Sequence, residues 1–367
     1  MREKETTLYL GPQHPGITGN MMIKLKVQGD TVVSASTHVG YLHRAFEKLI
    51  ERRNWLQTFT ILCRFCVPEP DPMELTYARA VEELEGREVP ERAEYIRTIV
   101  MELARMQSFM LWYAGQAGSA GLYLLGQWSV GDRNYLLDLF EDLTGGRIYH
   151  MYIWPGGVRR DLPEGWKDKA LKTMDYIEKR LVDYNKLLFD NTIFQKRAQG
   201  TAVIPKDKAI EWGVVGAPLR GTGIKSDVRI DEPYCAYDKL DFIVPTAEGG
   251  DIWARALVRQ EEIRQSISII RQALEKMPQG EFYNKVPNPM KWTVPAGEAW
   301  AKTESVRGEV GFYVVSDGSD KPRRVHVKGA AYTHGVTVLE KILPGSNISD
   351  VSFTLNSLGV CPPEIER

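Results

Sequence analysis

Apolar and polar positions change their period several times along the chain, and each change marks an element. Residues 6–10 form a short apolar run. Residues 21–27 alternate, with Met21, Ile23, Leu25 and Val27 on one side of a pleat. Gly29-Asp30 offers a tight turn before Thr31-Val32-Val33, so the first forty residues read as β-structure. From His43 the spacing turns helical, with Ala45, Phe46, Leu49 and Ile50 recurring among charges. The prolines of Val67-Pro68-Glu69-Pro70-Asp71-Pro72 are expected to break that helix, because they lack an amide hydrogen and clash with the preceding turn. A new helix is predicted from about residue 73 to 84. Pro90 stands where another begins, and residues 91–113 carry apolar positions at helical intervals. Further helices are predicted over 134–144, 166–189 and 249–276, the first of them stopped by Gly145-Gly146. Towards the C-terminal end the character changes again. Residues 308–315, 323–328 and 351–355 read as strands or extended segments, with turns at Asp317-Gly318 and Pro344-Gly345. The predicted arrangement is one unit: a β-rich segment over 1–45, a central helical bundle over 46–290, and a β-rich extension over 291–367 that returns to the core.

Composition narrows the function. At 43 % hydrophobic and 26 % charged residues, the 367-residue chain is an ordinary globular one, not disordered or collagen-like. Its 47 basic and 48 acidic residues leave a net charge of −1, which removes the electrostatic footprint of a nucleic-acid binder. Four cysteines are too few for a disulfide scaffold, and the spacing Cys63-Arg64-Phe65-Cys66 points to a reducing compartment. The charged start Met1-Arg2-Glu3-Lys4-Glu5 does not resemble a signal peptide. Residues 106–131 carry no charge and are long enough to span a bilayer. Yet Gln107, Gln116 and Gln127 would be costly in hydrocarbon. The stretch is expected to be a helix buried in the protein, its glycines letting neighbouring helices approach closely.

Three constellations carry candidate chemistry. Cys63-x-x-Cys66 places two thiols where they can face one metal, one cluster or each other, or simply lie buried and reduced. No second CxxC completes a four-cysteine site; Cys235 is expected in the core and Cys361 stands alone. Gly11-Pro12-Gln13-His14-Pro15 holds a histidine on a stiff loop, suited to a proton donor or ligand contact and equally to an exposed turn. Gly40-Tyr41-Leu42-His43-Arg44 is either a second such segment or a surface helix start.

These segments, with His38-Val39 and Glu47-Lys48-Leu49, resemble the N-terminal signature of the large catalytic subunit shared by respiratory complex I (its D-type subunit) and membrane-bound nickel–iron hydrogenases. The resemblance continues through Tyr77-Ala78-Arg79-Ala80-Val81-Glu82, Val89-Pro90-Glu91-Arg92-Ala93 and Trp154-Pro155-Gly156-Gly157-Val158-Arg159-Arg160-Asp161-Leu162-Pro163. It extends through Asp227-Val228-Arg229-Ile230-Asp231-Glu232-Pro233-Tyr234, Gly249-Gly250-Asp251-Ile252-Trp253-Ala254-Arg255, and Arg307-Gly308-Glu309 with Tyr313 and Ser316-Asp317-Gly318. It implies an α+β fold like that of the hydrogenase large subunit, with a central helical bundle.

The departures from the family pattern imply a branch. The hydrogenases hold nickel and iron with four thiolates from two CxxC pairs, and soft thiolates suit that centre. Here Cys63, Cys66 and Cys361 match three of those positions and Glu364 replaces the fourth, so no intact nickel–iron centre and no metal bound by this chain is expected. Complex I subunits of the family lack these cysteines and reduce quinone with a histidine and a tyrosine, positions matched by His14 and Tyr77. The retained cysteines resemble those of the large subunit of the ferredoxin-dependent, membrane-bound sulfane sulfur reductase of archaea. That resemblance implies an oxidoreductase subunit on the cytoplasmic side of a membrane. Its electrons for polysulfide reduction would come from an iron–sulfur cluster in a small partner, similar to the B-type iron–sulfur subunit of complex I. Other peripheral and membrane subunits would couple the reaction to ion translocation. The alternatives are a complex I-like quinone reductase subunit and a non-catalytic scaffold. The expected site comprises Cys63, Cys66 and Cys361, converging with Glu364 nearby, His14 and Glu364 managing protons, Tyr77, and Arg44 drawing in an anionic polysulfide.

Overall fold

Three antiparallel strands, β1 (Glu5–Leu10), β2 (Met22–Gln28) and β3 (Thr31–His38), open the chain, with β2 central. The alternation of β2 buries Ile23, Leu25 and Val27 while Lys26 and Gln28 face out. In this computed structural model residues 4–17, 19–286 and 288–367 are described, so the charged start Met1-Arg2-Glu3, expected not to be a signal peptide, lies outside the described residues.

The helix expected from His43 is instead two short pieces, α1 (Phe46–Ile50) and α2 (Phe59–Leu62). Ala45 adopts a left-handed conformation before the first, and an Asn54–Gln57 exchange of side-chain and backbone hydrogen bonds interrupts the run. The proline-rich segment, expected to be a breaker, is a helix start. In α3 (Pro70–Glu85) Pro70 occupies the first position, where an amide hydrogen has no intrahelical partner, and Gly86 ends the helix at φ 60°.

The bundle is built around α4 (Glu91–Ser119). It packs on α5 (Tyr123–Thr144) and on the helix Ile252–Lys276, while α6 (Trp166–Tyr184) closes against both of those. From Tyr95 to Met110 every residue of α4 is buried. The uncharged stretch 106–131 is therefore not one buried helix. It breaks at Gly121, φ +89°, into a hairpin of α4 and α5 whose tip exposes Tyr123, Leu124 and Trp128. Among the described residues no helix is long and apolar enough to cross a membrane.

A strand pair, β4 (Ile153–Trp154) and β5 (Gly157–Val158), follows the bundle's first half. The C-terminal sheet is antiparallel β6 (Gly297–Ser305), β7 (Gly308–Ser316) and β8 (Arg324–Lys328), and it lies on α3. Residues 351–355, expected to be extended, belong to the helix Val351–Leu358. The alternation Val351, Phe353, Leu355 mimics a strand, but Val351, Leu355 and Leu358 also follow helical spacing, and the helix is buried on several faces against α4 and Ile252–Lys276. After Gly359 a last turn, Pro362–Glu366, brings the tail onto residues 330–332.

Candidate active site

Two distant loops bring sulfur to sulfur. Cys66 sits in the turn before α3, and Cys361 in the turn between Val351–Leu358 and Pro362–Glu366. Their Sγ atoms are 3.5 Å apart across 295 residues of sequence, and both thiols are free. A carboxylate oxygen of Glu364 joins them, the three atoms lying within 4.8 Å of one another and all three residues buried. The turn between β6 and β7 supplies Arg307, whose Nη1 donates to Cys66 Sγ at 3.1 Å and forms a buried ion pair with Glu69. Glu69 is fully buried, and its other oxygen accepts from the Val306 amide at 2.8 Å. Glu364 accepts from the Ala331 amide at 3.0 Å.

The charges in this cluster are divided unequally. The Cys66 thiol donates to Cys361 and Arg307 lies close by, so the Cys361 thiol is pulled below its ordinary range. Cys66 is pushed well up, by burial first and by its hydrogen bond to Cys361 second. Burial raises Glu364 and so favours its protonated form. Burial opposes the charge on Arg307, but Cys66, Cys361 and Glu364 together hold it protonated. The surroundings therefore favour the thiol at Cys66, the thiolate at Cys361, the charged guanidinium at Arg307 and the protonated carboxyl at Glu364. A cavity of ≈ 210 Å³ borders this cluster at Arg307 and at Val360, the residue before Cys361, its walls including Pro68, Phe109, Trp112 and Arg259. Among the described residues Arg307 Nε and Glu364 Oε2 are buried without a hydrogen-bond partner, leaving two polar atoms for an incoming polar group.

The pattern of the family described as "Respiratory-chain NADH dehydrogenase, 49 Kd subunit" matches residues 120–291 and 288–367. The D-type subunit of NADH-quinone oxidoreductase from Thermosipho melanesiensis is 48 % identical over 365 residues, covering 99 % of this chain and 100 % of that one. The chain belongs to this 49 kDa subunit family. The D-type subunit of F(420)H(2) dehydrogenase from Methanosarcina mazei is 38 % identical over 371 residues, covering 100 % of this chain and 99 % of its own. Among solved structures, a chain of the membrane-bound sulfane sulfur reductase, an archaeal respiratory membrane complex, matches with a TM-score of 0.96 and 45 % identity. The match covers 99 % of this chain and 98 % of that one. The α+β fold expected from the sequence is thus the fold of the 49 kDa subunit family.

Within this 49 kDa-type chain the sequence-predicted residues divide. Cys66, Cys361 and Glu364 converge. Cys63 does not join them: its Sγ accepts from Arg64 Nη1 at 3.1 Å and faces the Thr60 carbonyl at 3.6 Å. Burial, with Glu74 and Asp71 nearby, pushes the Cys63 thiol up to about 12. A CxxC in a tight turn thus points its two sulfurs to different neighbours, and the expected three-thiol site is a pair. Arg44 lies at the margin, donating to the Arg64 carbonyl at 3.0 Å, stacked 4.0 Å over Phe46 and within the field of Cys361. His14 is exposed on the β1–β2 loop, its Nδ1 accepting from Gly16 N–H at 3.1 Å. That loop rests on the tail, Gly19 against Pro362 and Gly16 against Ser352. Tyr77 is fully buried between Phe59 and Phe312, centroids at 5.6 and 5.9 Å. Among the described residues no hydrogen bond, ion pair or ring contact links it to the sulfur pair or His14. Cys235 is only half-buried, at the edge of the core, and holds a left-handed backbone, φ 51°.

Arg307 and Glu69 were not anticipated as site residues. Arg307 stood in a matched segment with no role, and Glu69 was hidden in a proline run whose pattern suggests a breaker rather than a helix start. A second buried cluster was also missed. His150 Nδ1 pairs with Asp71 at 2.9 Å, and Glu74, one turn along α3, accepts the amides of Met151, Tyr152 and Ile153 at 2.8, 2.8 and 3.1 Å.

The donor set does not suit a nickel–iron centre. It offers two sulfurs and one carboxyl oxygen where that centre takes four thiolates, and the Arg307 guanidinium already contacts Cys66 as the local cation.

Proposed function

We propose that this chain is the catalytic large subunit of a membrane-bound respiratory oxidoreductase that reduces sulfane sulfur. The observation that carries the reading is the Cys66–Cys361 pair, 3.5 Å apart and buried, with the Arg307 guanidinium donating to Cys66. A thiolate beside a fixed cation is suited to bind and cleave S–S bonds of an anionic polysulfide, since the thiolate is the nucleophile in exchange. Arg307 and Arg259 in the cavity wall, with Arg44 at the margin, attract the anion. Glu364, with a carboxyl oxygen within 4.8 Å of both sulfurs, is the proton donor, with His14 on the neighbouring loop. Neither Cys63 nor Tyr77 has a part in the step. The 45 % identity and matching fold of the sulfane sulfur reductase chain support this reading.

In this scheme electrons come from reduced ferredoxin through an iron–sulfur cluster in a small partner similar to the B-type iron–sulfur subunit of complex I. The chain sits peripherally on the cytoplasmic face, and membrane subunits couple the reaction to ion translocation. The test is oxidation of reduced ferredoxin by the purified complex with polysulfide or a quinone analogue as acceptor. Polysulfide-dependent turnover that collapses in Cys361→Ser supports the reading; turnover with quinone alone overturns it. The 48 % identity to the D-type subunit of an NADH-quinone oxidoreductase favours that second outcome as the alternative.

A further inference from the structure

The two sulfurs are inequivalent, and their separation has a chemical consequence that the proposed function leaves open. At 3.5 Å they are about 1.5 Å from disulfide bonding distance, a gap that side-chain rotation spans. Cys361, an extended residue just before Pro362–Glu366, follows Val360 of the cavity wall and keeps 4 % of its surface exposed, whereas Cys66 is fully buried and held by Arg307. Cys63, the remaining thiol of the CxxC, is committed to Arg64 and Thr60.

Resting on the sulfane-sulfur reading, we propose that Cys361 is the nucleophile and Cys66 the resolving thiol. The electrons of the complex then reduce a transient Cys66–Cys361 disulfide rather than the substrate directly. In the first step the Cys361 thiolate attacks the terminal sulfur of a polysulfide dianion. The new bond is Cys361 Sγ–S, the substrate S–S bond breaks, and the polysulfide shortened by one sulfur leaves with a proton from Glu364. In the second step Cys66 attacks Cys361 Sγ. The persulfide bond breaks, hydrosulfide departs with the Cys66 proton, and the disulfide forms. Two electrons, arriving singly from an iron–sulfur donor in the partner, and one proton restore the Cys66 thiol and Cys361 thiolate. A second proton from solvent restores Glu364. The sum is one polysulfide dianion, two electrons and two protons converted to hydrosulfide and the shortened hydropolysulfide. Arg307 stays in contact with Cys66 and close to Cys361 throughout, offsetting the negative charge that a persulfide places in a buried site.

The experiment uses the intact, reduced complex without electron donor, exposed to inorganic tetrasulfide, acid-quenched, alkylated and analysed by peptide mass spectrometry. The expected wild-type product is a Cys66–Cys361 cross-linked peptide that disappears when reduced ferredoxin is added. Cys66→Ser is expected to stop at Cys361 carrying one extra sulfur atom, Cys361→Ser to leave Cys66 unmodified, and Cys63→Ser to retain the cross-link. The wild-type measurement needs no variant to fold. If the donor-supplied complex reduces tetrasulfide while neither cross-link nor persulfide forms, the relay is overturned and the proposed function stands. If the complex reduces quinone and not tetrasulfide, the proposed function itself has failed.

Discussion

Replacing Arg307 by Met tests whether this guanidinium is the charge that holds the site together. The substitution keeps most of the side-chain volume but leaves Glu69, fully buried, with only the Val306 amide at 2.8 Å and the weak Cys66 thiol donor at 3.7 Å to satisfy it. Removing one partner of a buried ion pair costs about 3–5 kcal/mol, because the other charge stays behind without compensation. Unfolding entropy near 2 cal/mol/K per residue, over 367 residues, converts about 4 kcal/mol into a fall in Tm of roughly 5 °C. Glu69→Gln alone is expected to cost less, about 1–3 kcal/mol, since Arg307 keeps the Cys361 thiolate as a neighbour. In the double variant no uncompensated charge remains between the two positions, so its loss should fall short of the sum by about 2 kcal/mol. Scanning calorimetry of the four proteins in their native assembly, at one scan rate, supplies the cycle. Losses that add within about 0.5 kcal/mol would refute the pairing.

Three further outcomes follow from the same geometry. His334 is fully buried, accepts the Val215 amide at 3.3 Å, and is pushed down to about 3 by burial and by Arg259, Arg255 and Arg307. Its folded value lies below its unfolded one, so the stability it contributes is present above about pH 6.5 and is lost as pH falls towards 3. His334→Gln should flatten the urea-unfolding pH slope over that window by about 1.4 kcal/mol per pH unit, and an unchanged slope contradicts it. Iodoacetamide at neutral pH should label Cys361 before Cys63, whose thiol lies near 12; mass spectrometry showing the reverse order would be incompatible with the Cys361 thiolate. Gly329 has an ordinary extended backbone, but a Cβ there would lie 2.6 Å from Glu364 Oε1, so Gly329→Ala should displace that carboxyl and cut the polysulfide turnover proposed for the complex while circular dichroism stays unchanged.

Where long-period patterning dominated, the sequence was legible. The alternation of β2, the glycine stop after α5 and the helix Ile252–Lys276 all lie close to where period and end signals put them. The proline run misled because one residue type has opposite meanings by position: fatal inside a helix, favourable in its first turn. Val351–Leu358 misled because a short, largely buried segment has too few polar positions to separate a period of two from one of 3.6. At the site, the convergence of Cys66 with Cys361 and Glu364 was readable through family resemblance. The divergence of Cys63 depends on turn geometry within four residues, and the part played by Arg307 depends on how two sheet strands meet α3. Neither is written in spacing.

The sulfur pair is also a matter of timing. Cys66 and Cys361 are separated by 295 residues, which at about 5–20 residues per second puts roughly 15–60 s of translation between them. Over that interval Cys66 and Glu69 exist in a nascent chain while the wall around residues 356–360 has yet to be made. Arg307 is made before Cys361, so the partner of Glu69 is in the chain before the second sulfur. A ribosome that stalls between residues 318 and 350 leaves a polypeptide with α4, α5, α6 and Ile252–Lys276 encoded in full and the sulfur pair incomplete.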